Sequence, residues 1–344
     1  MYICNMTALE KNIVRFAWIS LVLVHLVILA GSVVRMTGSG MGCPDWPQCF
    51  GYTIPPTDVE QVTWKPDHAY QEGQMIVFEE ELLVAQRDFN SAQVLEINNW
   101  KAYEKHDYAT FNPFHTWVEF INRLIGALTG LPVLILAFMT FLYARRTKNW
   151  TIFALGFATL FMLGFEAWLG KLVVDGNLVP GSITIHMFGS ILIVFLLLSI
   201  IRMLKPKKVA TENRYIRPLA IGFIVLGLLQ VFLGTQVREE VDALIHSGVL
   251  DRTSWVYNLS WIFIVHRSFS WVILLVSAVL LFWLKKERIV FKLNMGIQAL
   301  VIFQMICGIL LAESFPLFVQ PAHLMGAIIL LGTLWSLQFR LKKA

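Results

Sequence analysis

YNLSWIFIVHRSFSWVILLVSAVLLFWL, residues 257–284, is the stretch that decides the fold. It is apolar over most of its length, and a helix needs about 20 mainly apolar residues to cross a bilayer. The chain has eight such stretches, at about 14–34, 116–143, 150–173, 181–204, 216–236, 257–284, 293–312 and 321–341. They lack the alternating pattern of barrel strands, and backbone polar groups cannot stay unpaired in hydrocarbon. The sequence therefore predicts an all-α membrane protein with eight transmembrane helices.

The composition agrees with lipid as the surrounding solvent, because 57% of the residues are hydrophobic and only 15% are charged. Lys and Arg concentrate after the second, fourth, sixth and eighth stretches. Since cytoplasmic loops retain positive charge, we expect both termini in the cytoplasm and the acidic segment of about 36–115 outside. The net charge of +5 reflects this topology, so a nucleic-acid partner is not expected.

The first apolar stretch is long enough to span a membrane and ends without a small-residue cleavage site. We therefore expect it to remain as the first span rather than to be removed as a signal peptide. The amino terminus is also not a long presequence rich in Arg and Ser, which favours a bacterial plasma membrane over import into an organelle.

An internal repeat divides the chain into two halves, 1–205 and 206–344. Four pairs of segments align in order: 30–35 with 233–238, 120–123 with 264–267, 165–170 with 303–308, and 185–189 with 322–326. An even number of spans in each half gives both halves the same orientation, so the repeat is parallel. The sequence thus predicts two pseudo-repeated four-helix bundles, the first of which carries the long external loop.

Two histidines of the second half occupy repeat-matched spans at similar depth. His266 lies about seven residues inside the outer end of its span and His323 about three, a difference of about 6 Å at 1.5 Å per residue. Two imidazoles on opposite faces of a porphyrin give the low-spin iron that is typical of electron transfer. The alternatives are hydrogen-bonded histidines that join helices, and zinc, for which more clustered ligands would be wanted. We predict a heme between the two rings.

Arginines accompany these positions. Arg267 directly follows His266, and a guanidinium near the membrane surface suits a heme propionate. Arg35, Arg123 and Arg238 have similar places near helix ends, where snorkelling to lipid headgroups is an equal alternative. Arg267 is therefore the predicted cofactor-binding arginine.

The first half is an incomplete copy of the second. His186 occupies the position that matches His323, but Asn122 occupies the position that matches His266. Asparagine is a poor iron ligand, so this site is either five-coordinate or borrows His115, seven residues earlier on roughly the same helical face. An open site suits a substrate, and a closed one suits a fixed cofactor.

Glu119 is the candidate catalytic carboxylate. It lies three residues before Asn122 and so shares one face of the second span with it. A carboxylate just inside the membrane suits proton transfer or the stabilisation of developing positive charge. The alternatives are an ion pair with Arg123 or an anchor at the membrane interface.

Two of the four cysteines, Cys43 and Cys49, fall in the predicted external loop. That compartment permits disulfides, so the two are expected to pair. A bond that closes so short a loop is either a staple or a redox couple. Cys307 is expected to pack as a small apolar residue.

Taken together, these residues resemble those of the heme A synthase family. The resemblance covers nearly the whole chain and rests on GSVVRMTGSG at 31–40, CPDWPQC at 43–49, EFINR at 119–123, His186, HR at 266–267, and His323. It implies an enzyme that oxidises the C8 methyl group of heme O to a formyl group, through hydroxylated intermediates. The product would be heme A for terminal oxidases.

The resemblance also implies roles for individual residues. His266 and His323 would ligate a heme b cofactor. The residues expected at the substrate heme are His186, Asn122, Arg123 and His115, with Glu119 as the catalytic carboxylate. Asn122 departs from the family pattern, because many relatives have histidine there, and the long external loop is a second departure.

Two other classes of function compete with the synthase. One is a cytochrome b-type membrane quinol oxidoreductase, which would usually need two complete histidine pairs, whereas Asn122 leaves one incomplete. The other is a heme carrier, which would need no resident redox heme. For the synthase, heme O is the substrate, and pathway logic implies a complex with heme O synthase and an electron acceptor.

Overall fold

The computed structural model describes residues 6–104, 111–175, 181–205, 215–249, 251–285 and 288–341. Within these residues the chain forms nine α-helices: α1 Ala8–Met36, α2 Pro113–Thr147, α3 Trp150–Asp175, α4 Ser182–Leu204, α5 Ile216–His246, α6 Arg252–Asn258, α7 Trp261–Leu284, α8 Arg288–Ser314 and α9 Val319–Gln338. All but the short α6 are long and apolar enough to cross a membrane. The predicted all-α membrane fold with eight transmembrane helices is confirmed.

The fifth and sixth predicted stretches differ most from the observed helices. α5 continues to His246, ten residues beyond the end expected from hydropathy, because the segment 237–246 keeps helical backbone bonds although it carries charged side chains. The sixth predicted stretch is divided into α6 and α7, and Ser260 caps α7 by accepting a hydrogen bond from the Ile262 amide. A serine at this position satisfies a helix-terminal N–H group that would otherwise have no partner.

The described residues group into two compact units. The first comprises those of Met1–Leu29, Leu128–Glu166 and Ile183–Ala344, and the second those of Ala30–Ala127 and Ala167–Ser182. In the first unit α5 packs against α7 and α9, and α8 also packs against α7 and α9, so these four helices close a ring. Phe223, Leu280, Ile297 and Leu334 are fully buried in its core. The division into repeated halves remains a prediction.

The second unit contains two small antiparallel sheets that the sequence analysis did not predict. Their strands are β1 Ala69–Tyr70, β2 Met75–Phe78, β3 Glu81–Ala85, β4 Phe89–Asn90 and β5 Trp100–Ala102. β1 pairs with β4, and β3 lies between β2 and β5. Two residues in the left-handed region, Glu79 and Glu80, make the turn between β2 and β3. Hairpin turns of this kind usually carry Asn or Gly, so the sequence offered no turn signal here.

Candidate functional site

The paired histidines of α7 and α9 face each other in the first unit. The ring centroids of His266 and His323 are 6.5 Å apart, and the ring planes are at 83°. Gly234 of α5 makes room for one ring, because a Cβ there would lie 3.1 Å from Cε1 of His266. Gly308 of α8 lies beside the other ring, where a Cβ would be 3.9 Å from Cε1 of His323. The structure therefore brings together the two residues that the sequence singled out as iron ligands.

Two glutamines hold the backbone of the histidine pair, and the sequence analysis assigned them no function. Gln230 on α5 donates a hydrogen bond from Nε2 to the carbonyl oxygen of His266 at 2.9 Å. Gln304 on α8 does the same for His323, also at 2.9 Å. A polar side chain within an apolar span was the available signal, since such groups need a partner in lipid.

The ring nitrogens of the pair support a bound group rather than a packing role. Nδ1 of His266 and Nδ1 of His323 are both buried, and neither has a hydrogen-bond partner among the described residues. Buried polar atoms are normally hydrogen-bonded, so two exceptions in contacting rings call for a cause. Bonds from metal to imidazole are about 2 Å long, which puts the centroids of two rings on one iron about 6 Å apart. The observed 6.5 Å separation fits a heme iron shared between the rings.

Zinc is a poorer fit for these residues. Within the described ranges no group of three or more His, Cys, Asp or Glu side chains is arranged to hold a metal ion. Protein zinc sites use three or four such ligands, whereas a porphyrin itself supplies four nitrogens and needs only the two axial ones.

Two arginines, Arg267 and Arg238, lie on helices that pack in this ring, α7 and α5. Arg267 is exposed, and its guanidinium lies over the Phe263 ring at 5.7 Å. Arg238, one turn after Gly234 on α5, donates to Oε1 of Gln320 at 2.8 Å. Gln320 in turn lies three residues before His323, on the same face of α9. Arg238 is therefore connected to the histidine-bearing face.

Arg252 of α6 adds a second positive charge near Arg238. Burial lowers the pKa of Arg252, and the neighbouring Arg238 charge lowers it further. Nη1 of Arg252 is buried without a hydrogen-bond partner in the described part of the chain. Asp242 already pairs with Arg238 at 2.9 Å, so the unused donor of Arg252 is the group that favours a further anion at this end of the bundle.

His186 on α4 lies in the first unit and contacts a carboxylate. Its Nδ1 lies against Oε2 of Glu166 on α3. The Glu166 side chain is 7% exposed and that of His186 is 44% exposed, so the carboxylate is interior and the ring is half open. From the sequence, Glu166 was expected only to belong to a repeated segment, and no role was predicted for it.

Glu119 on α2, in the second unit, forms the ion pair with Arg123 that was one of the alternatives for it. Its other oxygen, Oε2, accepts a hydrogen bond from the Cys43 amide at 2.9 Å. Arg123 also donates from Nη1 to the carbonyl oxygens of Asp45 at 2.7 Å and Gln48 at 3.0 Å. The buried Glu119–Arg123 pair thus holds the segment 43–49 against α2.

That segment contains the expected disulfide between Cys43 and Cys49. The Asp45 carboxylate accepts hydrogen bonds from the amides of Phe50 at 2.7 Å and Gly51 at 2.8 Å, which close the turn. Burial raises the pKa of Asp45, although these two amides and the Arg123 charge oppose the rise. Together the bonds make the cysteine loop a compact structure next to Glu119.

The remaining predicted substrate residues also lie in the second unit. Oδ1 of Asn122 is buried without a hydrogen-bond partner among the described residues, and a Cβ on Gly31 would lie 3.8 Å from it. Nδ1 of His115 is 2.8 Å from Oγ of Ser39. His115 therefore has a partner within the chain, and the amide oxygen of Asn122 is left for another.

Comparison with known proteins identifies the family of the chain. The family described as "Cytochrome oxidase assembly protein" (COX15-CtaA) matches residues 14–96 and 84–335. A protein of Flavobacterium johnsoniae named heme A synthase is 25% identical over 97% of this chain and 99% of its own length. Heme A synthases of Shewanella oneidensis and Bartonella tribocorum are 25% and 23% identical, over 70% and 94% of this chain and 62% and 90% of their own lengths. The chain therefore belongs to the COX15-CtaA family of cytochrome oxidase assembly proteins.

Proposed function

We propose that this protein is a heme A synthase, an oxidoreductase of the membrane that oxidises the C8 methyl group of heme O to a formyl group. Family membership and the printed names of the relatives support this activity. The single structural observation that carries it is the contact between the rings of His266 and His323, each with an unpartnered buried nitrogen. Such a pair has the composition and spacing of a bis-imidazole heme site.

Heme b is the proposed cofactor, held by His266 and His323. Bound there, it would accept electrons one at a time and pass them on. Gln230 and Gln304 restrain the backbone of the two ligands through their hydrogen bonds to the histidine carbonyls. This restraint fixes the backbone from which each ring projects.

The propionates of this cofactor are proposed to pair with arginine. Arg267, an exposed residue of α7, was the candidate from the sequence, and we keep it as a proposed partner of a propionate. Arg238 and Arg252 are better supported, because Arg238 is bonded to the α9 face that carries His323 and Arg252 has an unused buried donor. Both would form charge-assisted hydrogen bonds with a carboxylate.

His186 is the proposed ligand of the substrate heme iron. Asn122, Arg123 and His115 are the further residues assigned to the substrate. Asn122 is suited to hydrogen bonding rather than to iron, because its buried amide oxygen has no partner among the described residues. One imidazole ligand would leave the iron open on its other side, as a substrate that must be altered and released requires.

Glu119 is the proposed catalytic carboxylate. Turning a methyl group into a formyl group removes hydrogens from carbon, so a base or a stabilising negative charge beside that carbon speeds the reaction. Both oxygens of Glu119 have partners, namely Arg123 and the Cys43 amide. Each carboxylate oxygen has a second lone pair, so these contacts are compatible with proton transfer as well as with electrostatic stabilisation.

We place the protein in the bacterial plasma membrane, with both termini in the cytoplasm and the segment between α1 and α2 outside. The distribution of Lys and Arg supports this orientation, and so does the disulfide between Cys43 and Cys49, since disulfides persist in oxidising compartments. A complex with heme O synthase and an electron acceptor is the proposed setting, because heme O is too apolar to diffuse freely in water.

Analysis of extracted pigments tests the activity. The chain is expressed in a membrane that makes heme O but lacks its own heme A synthase, and the hemes are separated by chromatography. We expect heme A to appear with the wild-type chain and not with His266→Ala. A low-spin heme spectrum without any heme A would favour the alternative, a cytochrome b-type electron-transfer protein, for which the histidine pair alone would suffice.

A further inference from the structure

The contact between His186 and Glu166 places a carboxylate on one particular ring nitrogen. Nδ1 of His186 is buried and meets Oε2 of Glu166, while the side chain as a whole is 44% exposed. Because Nδ1 is occupied, Nε2 is the nitrogen left to bind iron.

The neighbourhood of Glu166 is shaped for this contact. A Cβ on Gly189 would collide with Oε1 of Glu166, so only glycine at this position lets the carboxylate of α3 approach α4. Gly189 lies three residues after His186, on the same face of α4. Ser190 adds a long hydrogen bond from its Oγ to Oε2 of Glu166 at 3.4 Å. A buried carboxylate in a membrane helix is costly, and such groups commonly have a function.

The repeat-matched position in the second half has an amide instead of a carboxylate. Gln304 matches Glu166, and Gly326 matches Gly189. A Cβ on Gly326 would likewise collide with the glutamine, at Nε2, so the packing is alike. The glutamine, however, donates to the backbone carbonyl of His323, whereas the glutamate contacts the ring of His186. In the first half a carboxylate therefore contacts the imidazole ring, whereas in the second half the matching side chain contacts only the backbone.

A carboxylate on the far nitrogen of a ligating histidine has known consequences. It fixes the tautomer and the ring orientation, and it makes the other nitrogen a stronger donor to the metal. A stronger axial donor stabilises ferric over ferrous iron and so lowers the reduction potential.

We propose that Glu166 is a positioning residue. It holds His186 with Nε2 directed to the iron of the substrate heme, and it makes His186 a stronger donor than either histidine of the cofactor pair. The proposal rests on the assignment of His186 to the substrate heme. It gives the first half a single, strongly donating ligand in place of the two imidazoles of the second half.

Redox titration of the purified holoprotein with heme O bound tests this proposal. His186→Ala first identifies the spectral component that depends on this histidine. In Glu166→Gln, which keeps the volume but removes the charge, the midpoint potential of that component should rise, and heme O should bind about 10–100-fold more weakly. The heme b component should be unchanged, and it reports that the protein is folded.

Two further variants complete the test. Ser190→Ala removes only the 3.4 Å bond and should behave like the wild type. Gly189→Ala keeps the charge but displaces the carboxylate, and it should shift the same component in the same direction as Glu166→Gln. Equal potentials and equal heme O affinities in wild type, Glu166→Gln and Gly189→Ala would overturn the positioning role. If His186→Ala left every heme component in place, the assignment of His186 itself would fail, and the role of Glu166 with it.

Discussion

The two histidine sites of the first unit differ in what their imidazole nitrogens contact. In the α7–α9 site, two rings face each other, and Nδ1 of both His266 and His323 has no partner among the described residues. In the α3–α4 site, a single ring has its Nδ1 against the Glu166 carboxylate. The first arrangement suits a group that is held permanently from both sides, and the second suits one held from one side and open to reaction.

Arg123 and Arg267, which the predicted repeat aligns, also differ in their contacts. Each one contacts the residue one helix turn earlier on its own helix. Arg123 pairs with Glu119, four residues earlier; the Glu119 side chain is buried, and that of Arg123 is 14% exposed. Arg267 lies over Phe263, also four residues earlier, and is exposed. The same spacing of four residues thus carries an ion pair on α2 and an exposed cation–π contact on α7.

The largest expected effect concerns the cofactor ligands. Replacing His266 or His323 by alanine should abolish the low-spin heme absorbance, because one imidazole cannot make the iron six-coordinate. The measurement is the reduced-minus-oxidised spectrum of the purified protein. His25→Ala is the matched control, since Nδ1 of His25 bonds to the Leu21 carbonyl of its own helix. An unchanged spectrum in His266→Ala would remove the cofactor site.

The next effect concerns Glu119, which the predicted repeat aligns with Phe263. Glu119→Gln keeps an oxygen acceptor for the Cys43 amide but loses the charge, so heme A formation should fall by about 100-fold or more. Heme A is measured by chromatography of extracted pigments, with the heme b spectrum as the control for folding. Normal heme A formation in this variant would assign Glu119 to structure alone.

Replacing Arg123 should destabilise the protein more than replacing Arg267. Arg123→Ala leaves the buried Glu119 charge unpaired, which costs about 3–5 kcal/mol. Arg267→Ala removes an exposed cation–π contact worth under about 1 kcal/mol. Thermal unfolding of both variants in the same detergent measures the difference. Equal losses of stability would contradict the asymmetry between the halves.

The smallest expected effect concerns the glutamines that restrain the histidine backbone. Gln230→Ala and Gln304→Ala each remove one hydrogen bond, worth about 1 kcal/mol. Both variants should still bind heme b, but they should release it faster when apomyoglobin is present as a competing acceptor. Release at the wild-type rate would mean that packing alone orients the rings.

Much of the membrane part could be predicted from the chain. The eight spans can be predicted because each is a long, mainly apolar segment. In lipid, a helix satisfies all the backbone hydrogen bonds of such a segment. The end of α5 was missed, because hydropathy decreases at Arg238 and Glu239 while helical hydrogen bonding continues to His246.

The segment between α1 and α2 was much less predictable. The β2–β3 hairpin turns at Glu79 and Glu80, residues that give no turn signal, and the strands are short. Such strands are stabilised by tertiary packing, here of Tyr70, Phe89 and Trp100, whose rings contact one another. The intrinsic strand propensity of two or three residues is too weak to predict such strands from the sequence.

The sequence by itself determined the number of spans, the pairing of the two cysteines and the candidacy of His266 and His323. It did so because hydrophobic length and rare ionisable groups in lipid are properties of single segments. Only the tertiary structure decided which side chain each ionisable group meets. Glu166 meets His186, Glu119 meets Arg123, and Gln304 meets a backbone carbonyl. These partners, apart from Glu119 and Arg123 on one helix, lie on different helices, and a contact between helices depends on packing that no single segment encodes.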